Sequence, residues 1–372
     1  MTIIELVGAV SLCAWIYLVF GRGGFWRIHE TPAPPQAETA RSVAVVIPAR
    51  NEEKVVGQAV NSLIHQRYPG RLHVFLVDDH STDRTVAAAG VDDRLTIVTA
   101  RALPGGWTGK LWAMSEGLAR AALLRPDYFL LTDADIVHSP DSVSQLVARA
   151  EAGNLDLVSL MVKLESESFA ERAVIPAFVF FFFMLYPPAW IASARRSTAG
   201  AAGGCILIRP SALERIGGIT AIRSELIDDC ALARKVKRGG NIWLGVTRRT
   251  RSIRGYGTFA ELRRMISRTA FTQLGHSVAL LAGTIVGMAI VYLAPPLLLA
   301  SRDATAEICG AATWALMTLS YIPVLRFYGR SMVWAPFLPV IALFYLTATF
   351  ESAVLYWSGR GGQWKDRVQD AR

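Results

Sequence analysis

Cysteine is scarce in this 372-residue chain, and its four cysteines, Cys13, Cys205, Cys230 and Cys309, are scattered. None forms a Cys-x-x-Cys pair, and no histidine cluster accompanies them. That pattern excludes a structural zinc site and a disulfide framework, and it fits a reducing compartment. Two phosphate-binding glycine loops are also missing. No Gly-x-Gly-x-x-Gly follows the first strand-like run, so a dinucleotide-binding fold of that type is excluded. Gly105-Gly106-Trp107-Thr108-Gly109-Lys110 comes near a P-loop. It fails because Pro104 replaces the first glycine and Leu111 replaces the Ser or Thr after the lysine. Acids are short in one region: residues 234–268 hold eleven Lys or Arg against Glu261 alone. The run lacks interleaved aromatics and any nucleic-acid motif, so nucleic acid is not the expected partner. Lying directly before an apolar run, it reads as a juxtamembrane patch for an anionic lipid surface.

Hydrophobic residues, by contrast, make up 52% of the chain, and the net charge is +9. The apolar residues are unevenly placed. Residues 3–20 are apolar apart from Glu5 and small polar residues, and at 1.5 Å per residue they reach about 27 Å, enough to cross a bilayer core. Arg22 and Arg27 follow, which puts residue 21 onward on the cytoplasmic side. A cleaved signal peptide would carry its charges before the apolar run. Residues 1–21 are therefore expected to be a transmembrane helix, and 22–41, Pro/Ala-rich from Thr31 to Arg41, a linker. Residues 174–194 are uncharged and Phe-rich, but Pro176, Pro187 and Pro188 interrupt them, which predicts an interfacial or re-entrant segment. Runs at 278–300 and 308–325 predict a helical hairpin, after which Arg326 and Arg330 mark a return to the cytoplasm. A last run at 332–357 completes a membrane region at 278–357. The basic tail, 358–372, conflicts with the positive-inside rule if that last run spans, and a re-entrant segment would resolve the conflict.

Between these runs the pattern changes to that of an α/β domain. Short apolar runs at 43–47, 72–77, 95–98 and 128–131 alternate with helical stretches, which predicts a mostly parallel sheet. Polar residues gather where those strands end: Ala49, Arg50 and Glu52 after the first, Asp78-Asp79 after the second, Asp133-Ala134-Asp135 after the fourth. Ligands bind at the carboxyl ends of strands in such sheets. On an extended strand Asp133 and Asp135 face one way. Hard divalent cations take such oxygen ligands, with Mg²⁺ using one or two carboxylates plus substrate phosphates. With Lys110 near flexible backbone, the set suits a departing diphosphate. Further on, Gly203-Gly204-Cys205 permits close approach of backbone to a ligand. Asp228-Asp229 heads a helix, where acids cap the dipole or, beside an apolar wall, serve as a general base.

The ordered set Val-Val-Ile-Pro-Ala-Arg-Asn-Glu-Glu, Val-Asp-Asp-His-Ser-Thr-Asp, Gly-Lys, Asp-Ala-Asp, Gly-Gly-Cys and Asp-Asp resembles the family 2 glycosyltransferases of GT-A fold. The flanking apolar runs resemble the membrane-bound, lipid-modifying branch. Trp107–Ala113, Ile227–Ala233 and Arg268–Leu274 look closest to the hopanoid-associated bacterial glycosyltransferases. The resemblance implies a cytoplasmic GT-A domain at 42–272, flanked by transmembrane helices in a bacterial inner membrane. It implies that Ala49, Arg50 and Glu52 lie against a uridine and that Asp79 contacts the base or ribose. Lys110 would approach the diphosphate, Asp135 would bind Mg²⁺ or Mn²⁺, and Asp133 would support the nucleotide or sugar. Asp229 would be the general base, with Gly203, Gly204, Cys205, Asp228 and Arg268 bordering the acceptor. The implied reaction is inverting transfer of one sugar from a nucleotide-sugar, with a UDP-sugar expected, to a hydroxyl of a membrane lipid such as a hopanoid. One departure stands out. Where processive members carry Gln/Arg-x-x-Arg-Trp, this chain reads Met265-Ile266-Ser267-Arg268-Thr269, which argues against polymer synthesis. Transfer to a polyprenyl phosphate carrier and a non-enzymatic membrane scaffold remain open at this point.

Overall fold

In the computed structural model, the described residues are 1–32, 34, 40–364 and 367–368. An eight-stranded sheet forms the centre of the sequence-predicted domain. Its strands are β1 (Val43–Ala49), β2 (Leu72–Asp78), β3 (Leu95–Thr99), β4 (Tyr128–Thr132), β5 (Ile136–Val137), β6 (Leu157–Lys163), β7 (Cys205–Ile208) and β8 (Ile242–Ser252), in the order β3-β2-β1-β4-β7-β6-β8-β5. The first four strands are parallel, as the alternation with helices predicts. Beyond β4 the sheet is mixed. β7 runs antiparallel to β4 and β6, β8 is parallel to β6, and β5 is antiparallel to β8.

β1 is buried along its whole length because helices cover both faces, so its sequence is a continuous apolar run. Alternate residues serve opposite cores. Val43, Val45 and Ile47 join Val74, Leu76 and Leu130 on one face. Ala44 and Val46 join Val77 and Leu131 on the other. That second core is continuous with Trp15, Phe180, Tyr321 and Tyr345, which lie on the long apolar helices. The helix Gly109–Ala121 seats on β1 and β2. Gly117 allows this seat, since a Cβ there would lie 2.5 Å from Val46 and 2.6 Å from Val77.

Among the described residues, five helical segments are long and apolar enough to cross a membrane: Ile3–Gly21, Phe169–Ala192, Val278–Leu298, Ala304–Tyr328 and Met332–Trp357. Two expectations need correction here. Pro176 does not break the Phe-rich stretch, because the helix Phe169–Leu185 runs through it and the break comes at Tyr186–Pro187. The lost backbone bond at Pro176 is tolerated in a helix packed against Ala304–Tyr328, Leu338–Trp357 and Phe259–Ser267. The Tyr345 hydroxyl donates to the Val174 carbonyl at 3.0 Å, and the Phe180 and Tyr321 rings meet edge-on at 5.3 Å. The second correction concerns the linker expected at 22–41, which is packed through Thr31. Phe25 and Ile28 are buried, and Thr31 exchanges hydrogen bonds with Val246 on β8. Two core-forming side chains precede the Pro/Ala-rich stretch and fix this segment. Residues 33, 35–39, 365–366 and 369–372 lie outside the described residues.

Candidate active site

The carboxyl ends of β1, β2 and β4 form one rim. The loops after β1 and β2 clasp each other there. Asn51 adopts φ 52° and His80 φ 54°, the left-handed region, so both chains turn sharply off their strands. The Asn51 side-chain carbonyl accepts the Thr82 N–H at 2.8 Å, and the Ser81 hydroxyl accepts the Asn51 N–H at 3.0 Å. Arg50 reaches across to donate to the carbonyl of Asp79 and to that of His80 at 3.3 Å. Its guanidinium lies 3.8 Å from the Asp79 carboxylate, which is fully buried. Ala49 closes this corner through its carbonyl, which accepts the Asp79 N–H at 2.9 Å. Arg50 and Asp79 thus form one unit at the rim.

Asp133 and Asp135 do not lie on an extended strand. β4 ends at Thr132, and residues 133–135 turn into β5. The two carboxylates therefore serve different partners. Asp133 pairs with Lys110 at 3.0 Å, and Lys110 also lies 3.3 Å from Asp228. Lys110 comes from the first turn of Gly109–Ala121, a helix capped by the Thr108 hydroxyl. Burial acts to lower the Lys110 pKa, but the charges of Asp133, Asp228 and Asp229 outweigh it and hold the ammonium firmly protonated. Asp135 turns inward, accepts the Ser252 hydroxyl at 2.6 Å, and lies 3.4 Å from the Arg254 guanidinium. Burial and the neighbouring Asp133 raise its pKa.

Arg254 was counted in sequence only as one charge of the basic run, yet it joins two strand ends. It donates to both carboxylate oxygens of Glu52 at 2.6 Å while facing Asp135. Burial works against its charge, but Asp135 and Glu52 prevail and raise its pKa. The Glu171 carboxylate, on the Phe169–Leu185 helix, accepts the next backbone N–H but one, that of Tyr256, and so fixes this loop. Much of the basic run is likewise engaged within the protein rather than held for a surface. Arg248 pairs with Glu30 at 3.4 Å, Arg249 with Asp141 at 3.2 Å, and Arg263 with Glu351 at 3.1 Å. Lys237 donates to the carbonyls of Trp190, Ile191 and Thr198.

Asp229 opens the helix Asp228–Lys237. One of its oxygens accepts the Gly203 N–H at 2.8 Å and the other the Cys230 N–H at 2.7 Å. Gly203 makes this approach possible, since a Cβ there would sit 3.3 Å from the Asp229 carboxylate and 3.5 Å from the Lys110 nitrogen. Burial and the adjacent Asp228 push the Asp229 pKa up to about 6, against the lowering pull of Lys110. A carboxylate with a raised pKa is suited to accept a proton near neutral pH. Gly204 presents its carbonyl to the Thr132 hydroxyl at 2.7 Å. Cys205 is not brought to the cluster. It is fully buried in the core opposite Thr132, and burial raises its thiol pKa to about 12. Arg268 is exposed, and its charge acts to lower the pKa of the half-buried Tyr256 hydroxyl, which burial raises.

Among the described residues no group of three or more His, Cys, Asp or Glu is placed to cage a metal ion. The donors fit a hard cation only in the mode that uses one or two carboxylates and completes its shell with phosphate oxygens. Asp135 is the residue that would hold such a cation, which would neutralise charge on a diphosphate.

Comparison with known proteins agrees with this arrangement. Residues 44–217 match the family described as Glycosyl transferase family 2. The 4,4'-diaponeurosporenoate glycosyltransferase of Staphylococcus aureus (strain bovine RF122 / ET3-1) is 32% identical over 124 residues, covering 33% of this chain and 32% of that protein. The same enzyme from strain MRSA252 is 31% identical over an equal span. The chain thus matches about a third of the length of these relatives. A mannosyltransferase from Pyrobaculum calidifontis, solved in complex with GDP-Man and Mn²⁺, superposes with a TM-score of 0.54 at 18% identity, covering 95% of this chain and 99% of that one. At that identity the likeness speaks for the fold. Residues 44–217 are therefore similar to the glycosyl transferase family 2 domains, with a GT-A fold flanked by apolar helices.

Proposed function

We infer that this protein transfers a single sugar from a nucleotide-sugar to a hydroxyl of a membrane lipid, with inversion at the anomeric carbon. The observation that carries the reading is Asp229, a carboxylate held by two backbone donors with its pKa raised to about 6, beside Lys110. Asp229 takes the proton from the acceptor hydroxyl. The oxygen attacks the anomeric carbon, and the bond to the diphosphate breaks with its electron pair on the phosphate. Lys110 and Arg254 meet the charge that develops there, and a fixed cation at such a point lowers the barrier more than one recruited from solvent. Arg50, braced by the buried Asp79, holds the nucleotide end, for which the resemblance favours uridine. A divalent cation bound at Asp135 would add further neutralisation of the diphosphate.

Support for a lipid acceptor comes from the candidate spans and from the relatives named for diaponeurosporenoate. The hopanoid-type motifs at 107–113 and 227–233 favour a hopanoid within that class. A phosphate acceptor fits less well. Asp133, Asp228 and Asp229 surround Lys110, and like charge at that range repels a second anion. Arg22 and Arg27 after the first span favour a cytoplasmic domain in a bacterial inner membrane. Exposed Arg238, Arg251 and Arg264 remain for an anionic lipid surface.

The reading is tested with purified full-length protein, a panel of labelled nucleotide-sugars and a total lipid extract, with products identified by mass spectrometry. One lipid is expected to gain a single hexose-sized unit, and chelator is expected to abolish the gain. Label confined to a water-soluble phosphate or absent from lipid would overturn it.

A further inference from the structure

We propose that the acceptor lipid reaches Asp229 along an apolar groove among the candidate spans, and that Tyr186 and Gln273 at its polar end receive the hydroxyl. The inference rests on the transfer reading above and specifies its acceptor site. The groove has a volume of about 300 Å³ and lies where three candidate spans meet. Leu18 lines it from the first span, Leu185 from the second, and Thr284, Gly287, Met288 and Val291 from the third. Its volume is at the small end for ligand pockets, so it holds a segment of one hydrocarbon chain. Arg22 borders it, but that guanidinium is committed to the Met184 and Leu185 carbonyls at 2.9 and 3.4 Å and to the Trp190 ring. The groove therefore presents no uncommitted cation for a phosphate, and a neutral lipid fits it.

Tyr186 follows Leu185 directly, one residue beyond the groove lining. Its hydroxyl accepts from the Gln273 amide at 2.7 Å and donates to the Gln273 side-chain carbonyl at 3.1 Å. The ring is pressed against the backbone at Gly200, where a Cβ would lie 2.9 Å away. Gly200 adjoins Ala201, whose carbonyl accepts the Cys230 thiol at 3.7 Å, and the Cys230 backbone N–H holds the Asp229 carboxylate. The Gly200-Ala201 backbone and Cys230 thus link Tyr186 to the base. Tyr186 and Gln273 together offer both a donor and an acceptor, the pair that an incoming hydroxyl requires. No other step of the transfer uses them.

The test uses the full chain in nanodiscs and a long-chain alcohol with a photoreactive diazirine in its tail. Labelling is expected on peptides containing Leu185 and residues 284–291. Gly287→Leu extends a side chain into space where a Cβ meets nothing within 4 Å, and glycine is the weaker helix former, so the fold is retained. That variant is expected to cut groove labelling about tenfold and to raise the apparent KM for the lipid extract similarly, the scale on which a pocket responds to added methylene groups. The KM for the nucleotide-sugar should move far less, and Gln273→Ala should shift the same ratio. Labelling spread over the outward faces of the spans, unchanged by Gly287→Leu, would overturn the groove while lipid product still forms. Absence of lipid product from the wild type would overturn the transfer reading and this inference together.

Discussion

Arg254 shows how much depends on one side chain. Its guanidinium is the shared cation of Glu52 and Asp135, two carboxylates drawn from the ends of different strands. Removing one partner from such a group leaves charge buried without compensation, which costs about 3–5 kcal/mol. Arg254→Met is therefore expected to lower the thermal midpoint strongly, read by unfolding in detergent. Arg254→Lys should recover only part, because an ammonium cannot reproduce the two-pronged contact with Glu52. The pH dependence has a definite sign. Without Arg254, the pKa of Asp135 rises further above its unfolded value, so the deficit is full when the carboxylates are ionised and shrinks as pH falls and they take up protons. A deficit that grew on acidification would contradict the pairing. Sequence reading missed Arg254 because it was one of eleven basic residues in its run. Asp135, Lys110 and Asp229 stood out because each follows an apolar run or opens a helix.

At the scale of elements, the legible strands were those whose burial makes them continuous apolar runs, above all β1, β2 and β4. β8 escaped because its outer half, Thr247-Arg248-Arg249-Thr250-Arg251-Ser252, reads as charge. There Thr250 and Ser252 are buried while Arg249 and Arg251 face out. That period of two was the available signal, and the pairing with β5 that uses it is long-range. The turn at 133–135 was misread for a related reason: two acids at i and i+2 look alike on a strand or a turn. Thr132 carries the consequence. Its hydroxyl donates to the Gly204 carbonyl at 2.7 Å and meets the buried His138 ring at 3.0 Å, so it ties β4 to the Gly203-Gly204 segment that holds Asp229. Burial lowers the His138 pKa to about 4, which keeps the ring neutral in that contact. Thr132→Val keeps the shape and is expected to cost about 1–3 kcal/mol through the unsatisfied carbonyl. Thr132→Ser should lose far less. Denaturation midpoints of the two variants decide between a hydrogen-bond role and a packing role, the latter predicting the reverse order.

Across the whole molecule, one face of the sheet shares its core with the apolar helices. The sheet domain and the apolar helices are thus packed together rather than strung on a flexible tether. The composition foretold both halves but not their union, since no local pattern reports contacts such as Phe180 with Tyr321. Everything proposed for this assembly converges on Asp229 as the base that activates a lipid hydroxyl. The most direct test is sugar transfer measured across pH for the wild type and Asp229→Asn, with nucleotide-sugar binding followed by calorimetry on the same preparations. Lowering pH through about 6 protonates the carboxylate, so wild-type kcat/KM is expected to fall on the acid side of that value. The Asn variant should bind the donor nearly as tightly, transfer about 10²–10⁴ times more slowly, and lack the acid limb. An Asn variant that transfers at the wild-type rate, or keeps the same limb, would contradict the account.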